Sequence, residues 1–152
     1  MKRSLTMFAA ATVIATMASD AYAHHSHPYF YDQCKTVTIE GRVEKAEWKD
    51  PHTLIVVRVD DESLYTIDWN GLSALTRDRV IGPAKEALVF GARVAVSGNP
   101  IRTAAQIREH FPEFTSDVNP RTLDPMSIRR VDNSFNWAQP RPVASPPDCN
   151  RK

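Results

Sequence analysis

The residues with the clearest chemical potential are the histidines of His24-His25-Ser26-His27. If the chain is cut just before His24, the new α-amine and the imidazole of the same residue can close a chelate ring on one metal ion. His25 or His27 then supplies a further nitrogen, and His52, in Trp48-Lys49-Asp50-Pro51-His52, is another candidate ligand. Tetragonal nitrogen ligation suits Cu(II), which heads the divalent affinity order; Zn(II) is the second candidate. Binding would displace protons from the amine and imidazoles, so affinity falls in acid. The plain alternative is a solvated terminus that takes up metal adventitiously, with His52 capping a backbone carbonyl while Trp48 packs on the body of the protein.

Aromatic side chains form the second set: Tyr29, Phe30, Tyr31, Trp48, Tyr65, Trp69 and Trp137. Of these, Tyr29, Trp48 and Trp69, together with Asp50, are the candidate binding residues, since aromatic faces on a small barrel can stack on sugars or bases. The competing role is structural, with the rings closing the barrel ends or clamping an N-terminal arm. Arg121, Arg129 and Arg130 could gather an anion or simply be a solvated strand end, and His110 beside Glu109 reads as a surface residue. No P-loop, GxGxxG, HExxH or GxSxG is present, and no spacing pairs a nucleophile with a base. A copper mono-oxygenase built on the terminal histidine is conceivable, but a small barrel offers it little flat substrate platform. The expectation is a non-catalytic protein with no catalytic residues.

That chemistry depends on export. Lys2 and Arg3 form a basic start, residues 7–17 (MFAAATVIATM) are apolar, and Ala21-Tyr22-Ala23 offers a small-x-small cleavage site. The apolar run is well short of the roughly 20 residues that span a bilayer. A cleaved signal over residues 1–23 and a periplasmic protein beginning at His24 are expected, without membrane insertion. Cys34 and Cys149 are the two cysteines. In an exported chain they read first as a disulfide that pins a Pro-rich tail, residues 138–152, to the domain. A redox or metal-binding thiol pair is the alternative, though the residues lack CxxC spacing. Closing so large a loop is worth about 4–5 kcal/mol on the chain-entropy model.

The whole chain has 152 residues, with 19 Lys+Arg against 18 Asp+Glu. Removing Lys2, Arg3 and Asp20 with the signal balances the charges, so nucleic acid is not an expected partner. A hydrophobic content of 42% and a charged content of 24% suit one globular domain, and the chain reads as a monomer. Eleven Pro against five Gly suggest stiff connections.

The elements that must position these residues are mostly strands. Residues 24–33 should be an extended arm, and residues 34–137 the folded body. Residues 35–48 alternate apolar positions around Gly41, which marks a bend. Residues 53–59 (TLIVVRV) and 64–69 (LYTIDW) form a hairpin, with His52 in the turn before it. Ser73 caps a helix over 74–80, and 83–88 adds a turn. Residues 90–97 make a fourth strand, stopped by Gly98-Asn99-Pro100. Residues 103–111 suit a surface helix, 119–125 a loop, and 126–131 a fifth strand. Three strands, a helix and two strands point to an all-β, five-stranded OB-like Greek-key barrel with a helix between strands three and four; an open α+β roll is the competitor.

Several residues together resemble a family of small exported bacterial proteins of unknown function. They are His24-His25-Ser26, Gly41-Arg42-Val43, Trp48-x-Asp50-Pro51-His52, Trp69, and the stretch from Gly91 to Pro100 (GARVAVSGNP), within residues 23–102. The resemblance implies a periplasmic OB-like barrel and no assigned activity. Asp50 stands where that family usually has Asn, adding an oxygen ligand or an N-terminal clamp, and Ala92 where it usually has Asp. Residues 101–125 are longer than usual. The expected function is a binding module for Cu(II) or another metal at His24, His25, His27 and His52. The alternative is an envelope-stress or interaction module that meets a protein or glycan partner through the arm and residues 101–125.

Overall fold

The computed structural model describes residues 27–139 and Cys149. The elements run α1 (His27–Phe30), β1 (Val37–Glu47), β2 (His52–Arg58), β3 (Leu64–Asn70), α2 (Leu72–Arg77), α3 (Ile81–Ala87), β4 (Arg93–Pro100), α4 (Ala104–Arg108), β5 (Thr122–Arg130) and β6 (Asn136–Ala138). The expected signal, His24 and His25, and the tail beyond residue 139 apart from Cys149 lie outside the described residues.

Strand pairing defines the architecture. β2 lies antiparallel to both β1 and β3, β4 antiparallel to both β1 and β5, and β5 meets β3 in parallel at Thr66–Thr122 and Ile67–Leu123. That circuit closes a five-stranded barrel with helices between the third and fourth strands, the OB arrangement. A sixth strand, β6, adds to β5 through Ile128–Trp137. It was not expected, because three residues within a polar stretch carry too short an alternation to register.

β1 is shared by the two halves of the barrel. Its first part, Val37 to Arg42, pairs with β4, and from Arg42 onward it pairs with β2, with a bulge between Val43 and Lys45. Gly41 sits at the changeover because a Cβ there would lie 2.3 Å from the Arg58 carbonyl oxygen. The expected bend is therefore present, and its cause is close strand approach. Inward residues of the strands fill the core: Ile39, Val43, Ile55, Val57, Ile67, Val94, Val96, Leu123 and Ile128, with Leu75 and Leu88 from the helical segment.

Several boundaries differ from expectation. The arm is not simply extended: residues 27–30 form a helical turn, and Tyr31 bridges to Ile101. β4 starts at Arg93, three residues late, because Gly91 at φ +79° turns the chain, leaving Phe90 exposed. β4 then continues through Gly98-Asn99-Pro100, which had read as its stop. Gly98 admits the Asp124 carbonyl oxygen at 2.4 Å from the position of a Cβ, at a register shift between Ser97 and Gly98. β5 begins at Thr122 inside the expected loop, and its Pro125 falls opposite that irregularity, where a missing N–H does least harm. α2 is capped from Gly71, not Ser73. α4 is shorter than the expected helix and carries a full capping box between Thr103 and Gln106.

Candidate functional site

The site lies where the β1–β2 loop, the end of β3 and the N-terminal arm meet. Asp68 stands on the outward face of β3, and His52 is the first residue of β2, not a turn residue. Leu54 is the direct partner of Asp68, so His52 is its diagonal neighbour on the same face. His52 Nδ1 lies 2.6 Å from Asp68 Oδ1. The Tyr31 hydroxyl donates a short hydrogen bond to the other oxygen, Oδ2. One carboxylate thus holds a residue of the arm and a residue of β2.

Tyr31 is buried, and burial pushes its phenol well above its ordinary pKa. The Asp68 carboxylate, as a charge and as an acceptor, and then Asp124 act in the same direction. A phenol so placed stays protonated and serves as a donor, which is the opposite of an activated base. The arm reaches this position because backbone bonds stitch it to the far end of β4: Asp32 N donates to Pro100 O, and Arg102 N to Phe30 O. Asn99 Nδ2 also donates to Lys35 O. Cys34 is joined to Cys149 in the expected disulfide, which anchors that residue of the tail beside the arm.

The β1–β2 loop is clamped onto α2. Asp50 accepts from the Ser73 backbone N–H at 3.0 Å and from its hydroxyl at 2.7 Å, which holds the carboxyl below its usual range. Leu72 N donates to Lys49 O. Gly71 permits this contact, since a Cβ would lie 2.3 Å from Pro51 O. Asp50 is therefore a clamp at the start of a helix, one of the two roles its type suggested, and its oxygens are engaged in it.

The aromatic candidates separate. Trp69 is 1% exposed and packs between Trp48 and Trp137, so it is a core residue with no face left to stack on a ligand. Trp48 is partly buried, with Lys85 Nζ 6.0 Å from its ring centre. Tyr29 is exposed and leans on His110 and Phe111, while Phe30 stacks on Phe111 and meets Phe114 edge-on. His110 is thus part of the arm's bed. The supposed cluster of Arg121, Arg129 and Arg130 does not form: Arg121 precedes β5, and the others end it, roughly 25 Å away along the strand.

Of the four expected metal ligands, the structure places only the side chain of His52. His27 begins α1, His24 and His25 fall outside the described residues, and no group of three or more metal-ligating side chains gathers among the described residues. Sequence reading missed Asp68 as the partner of His52, and Tyr31 as the second residue held by the same carboxylate. The alternation of LYTIDW already put Asp68 opposite the apolar Ile67 and Trp69, but only strand register brings it beside His52.

No helix among the described residues is long and apolar enough to cross a membrane. No curated protein matches the chain. Among solved structures, one chain of the S. pombe Stn1–Ten1 complex is 14% identical, with TM-score 0.42; the match covers 63% of this chain and 57% of that one. A small single-stranded DNA-binding protein from Streptomyces coelicolor is 16% identical, with TM-score 0.41, covering 63% of this chain and 91% of that one. The fold assignment rests on the closed strand circuit. The arm, the clamped β1–β2 loop, the His52–Asp68 pair and all of β4 fall within one family model, matching residues 11–108, and the chain accordingly belongs to DUF6152, a family of unknown function.

Proposed function

We propose that the protein is an exported, non-catalytic binding module that holds one transition-metal ion at its mature N-terminus, Cu(II) before Zn(II). The ligands are the amine and imidazole of His24, one of His25 and His27, and His52. The observation that supports this reading is the bond from His52 Nδ1 to Asp68, the same carboxylate that anchors Tyr31. A carboxylate on one imidazole nitrogen fixes the tautomer and makes Nε2 a better donor, the usual support behind a ligating histidine. Tyr31 brings the arm to that carboxylate, and α1 separates it from His27 by about 6 Å of helical rise. Tyr31 thus ties the start of α1 to the carboxylate that holds His52.

Native mass spectrometry of the untagged exported protein, with limiting Cu(II) and Zn(II), tests the reading. The expected mass begins at His24, lacks two hydrogens for the disulfide and carries one retained copper. An N-terminal extension abolishes retention, and Asp68→Asn weakens it by about ten- to a hundredfold. Equal binding with the terminus extended sinks the terminal-amine site, and no retained metal sinks the metal reading altogether.

A second reading is favoured by the packing of Tyr29 and Phe30 on His110, Phe111 and Phe114, which makes the arm and residues 101–125 one surface. On that reading the surface meets an envelope protein or glycan. A partner that co-purifies with a variant lacking the terminal histidines, and is lost with Tyr29→Ala, would support it.

A further inference from the structure

At the other end of β2, about 20 Å from His52, three arginines stand in a row across neighbouring strands. Arg42 of β1 is directly opposite Arg58 of β2 on one side and Arg93 of β4 on the other. Like charges in facing register are destabilising, so such a row calls for counter-charge. The outer two have it: Arg58 Nε lies 2.7 Å from Glu44, and Arg93 Nη2 2.5 Å from Glu40. Arg42, between them, makes no ion pair among the described residues. Its Nη1 donates to the Gly91 carbonyl at 3.2 Å, which fixes the guanidinium at the turn before β4 and leaves its other donors uncommitted.

Beside Arg42 opens a hollow of about 360 Å³ walled by Arg42, Arg93, Arg130, Gly91, Ala92 and Asp132. Asp132 is the carboxylate among these, and it is occupied by Arg130 and by both the N–H and the hydroxyl of Ser134. Gly91, with no atom within 4 Å of where a Cβ would stand, keeps the mouth open. Immediately before Gly91 in the chain, Val89 and Phe90 are 49% and 79% exposed, two apolar side chains left open to solvent next to this segment. Because Glu40 and Glu44 neutralise the outer arginines, the patch has little long-range field. What it offers is a short-range fork geometry that suits a tetrahedral oxyanion.

We infer that this hollow is an oxyanion site, in which Arg42 and Arg93, with Arg130 behind them, bind a phosphoryl group carried by a phosphate ester or a phospholipid headgroup. The bound anion supplies the counter-charge that Arg42 lacks and bridges the facing arginines. The site is independent of the metal reading and lies on the opposite end of the barrel from it.

Titration of the ¹⁵N-labelled full chain with inorganic pyrophosphate should shift the amides of Gly91, Ala92 and Arg93 saturably. Arg42→Gln should weaken binding at least about tenfold with an unchanged melting temperature, and Arg42→Lys should fall between, keeping the charge but losing the fork. Sedimentation with phosphatidylglycerol vesicles, against phosphatidylcholine vesicles, identifies the source. Co-sedimentation that needs both Arg42 and Phe90 assigns a lipid headgroup, whereas pyrophosphate binding indifferent to Phe90→Ser, without co-sedimentation, assigns a soluble ester. No saturable shift in this segment, or binding undiminished in Arg42→Gln, overturns the proposal.

Discussion

Asp68 shows how much one residue can organise when its two oxygens serve donors from distant parts of the chain. Tyr31 and His52 are separated by the whole of β1, and each is held by its own oxygen of the same carboxylate. Replacing Tyr31 by Phe removes a buried donor to a charged acceptor. It should cost about 1.5–3 kcal/mol in urea denaturation at neutral pH. The folded-state pKa of this phenol is raised, so its contribution is complete below the unfolded value of about 10 and is lost as pH rises beyond it. In that range the unfolded chain gives up the proton first, so stability falls with pH. Tyr31→Phe should therefore show a shallower alkaline decline than the wild-type chain, and an equal slope would place the titration elsewhere.

Among the elements, the β1–β2 loop is instructive because an acidic residue on a loop tip suggests a ligand and turns out to be a fastening. Asp50→Ala should lower the melting temperature by a few degrees, since two hydrogen bonds to Ser73 vanish together. Asp50→Asn should leave it nearly unchanged: the amide oxygen still accepts from the Ser73 N–H, and the amide N–H can donate to the hydroxyl. Differential scanning calorimetry of the pair separates a clamp from a charge effect. The β1–β2–β3 order was legible because the β-branched run TLIVVRV and the alternation in LYTIDW mark two strands on either side of a turn signal. The limits of β4 and β5 were not, since Gly98, Pro100 and Pro125 look like breakers in isolation. Gly98 and Pro125 are tolerated because they face one another at a local irregularity, and Pro100 ends β4 opposite Leu123, facts about pairing that no single segment carries. The same reason hid the His52–Asp68 pair and the arginine row, both of which exist only across strands.

For the molecule as a whole, the disulfide and the barrel act on different parts of the free energy. Cys34–Cys149 spans a separation of 115 residues, and cross-linking a loop of that size is worth up to about 5 kcal/mol through the unfolded chain. Thermal melts with and without reductant, or of Cys34→Ser/Cys149→Ser, should show a substantial loss of stability with little change in the folded barrel's circular dichroism. A melting point unmoved by reduction would mean that the bond restrains the tail alone. The double role of β1 sets a further condition on how the molecule breathes. Because its first half is laddered to β4 and its second half to β2, neither half of the barrel can peel away without disturbing the strand that the other half needs. Solvent deuterium should accordingly reach the β1 amides only through global opening, while β6, with three residues on one edge, is free to exchange through a local one.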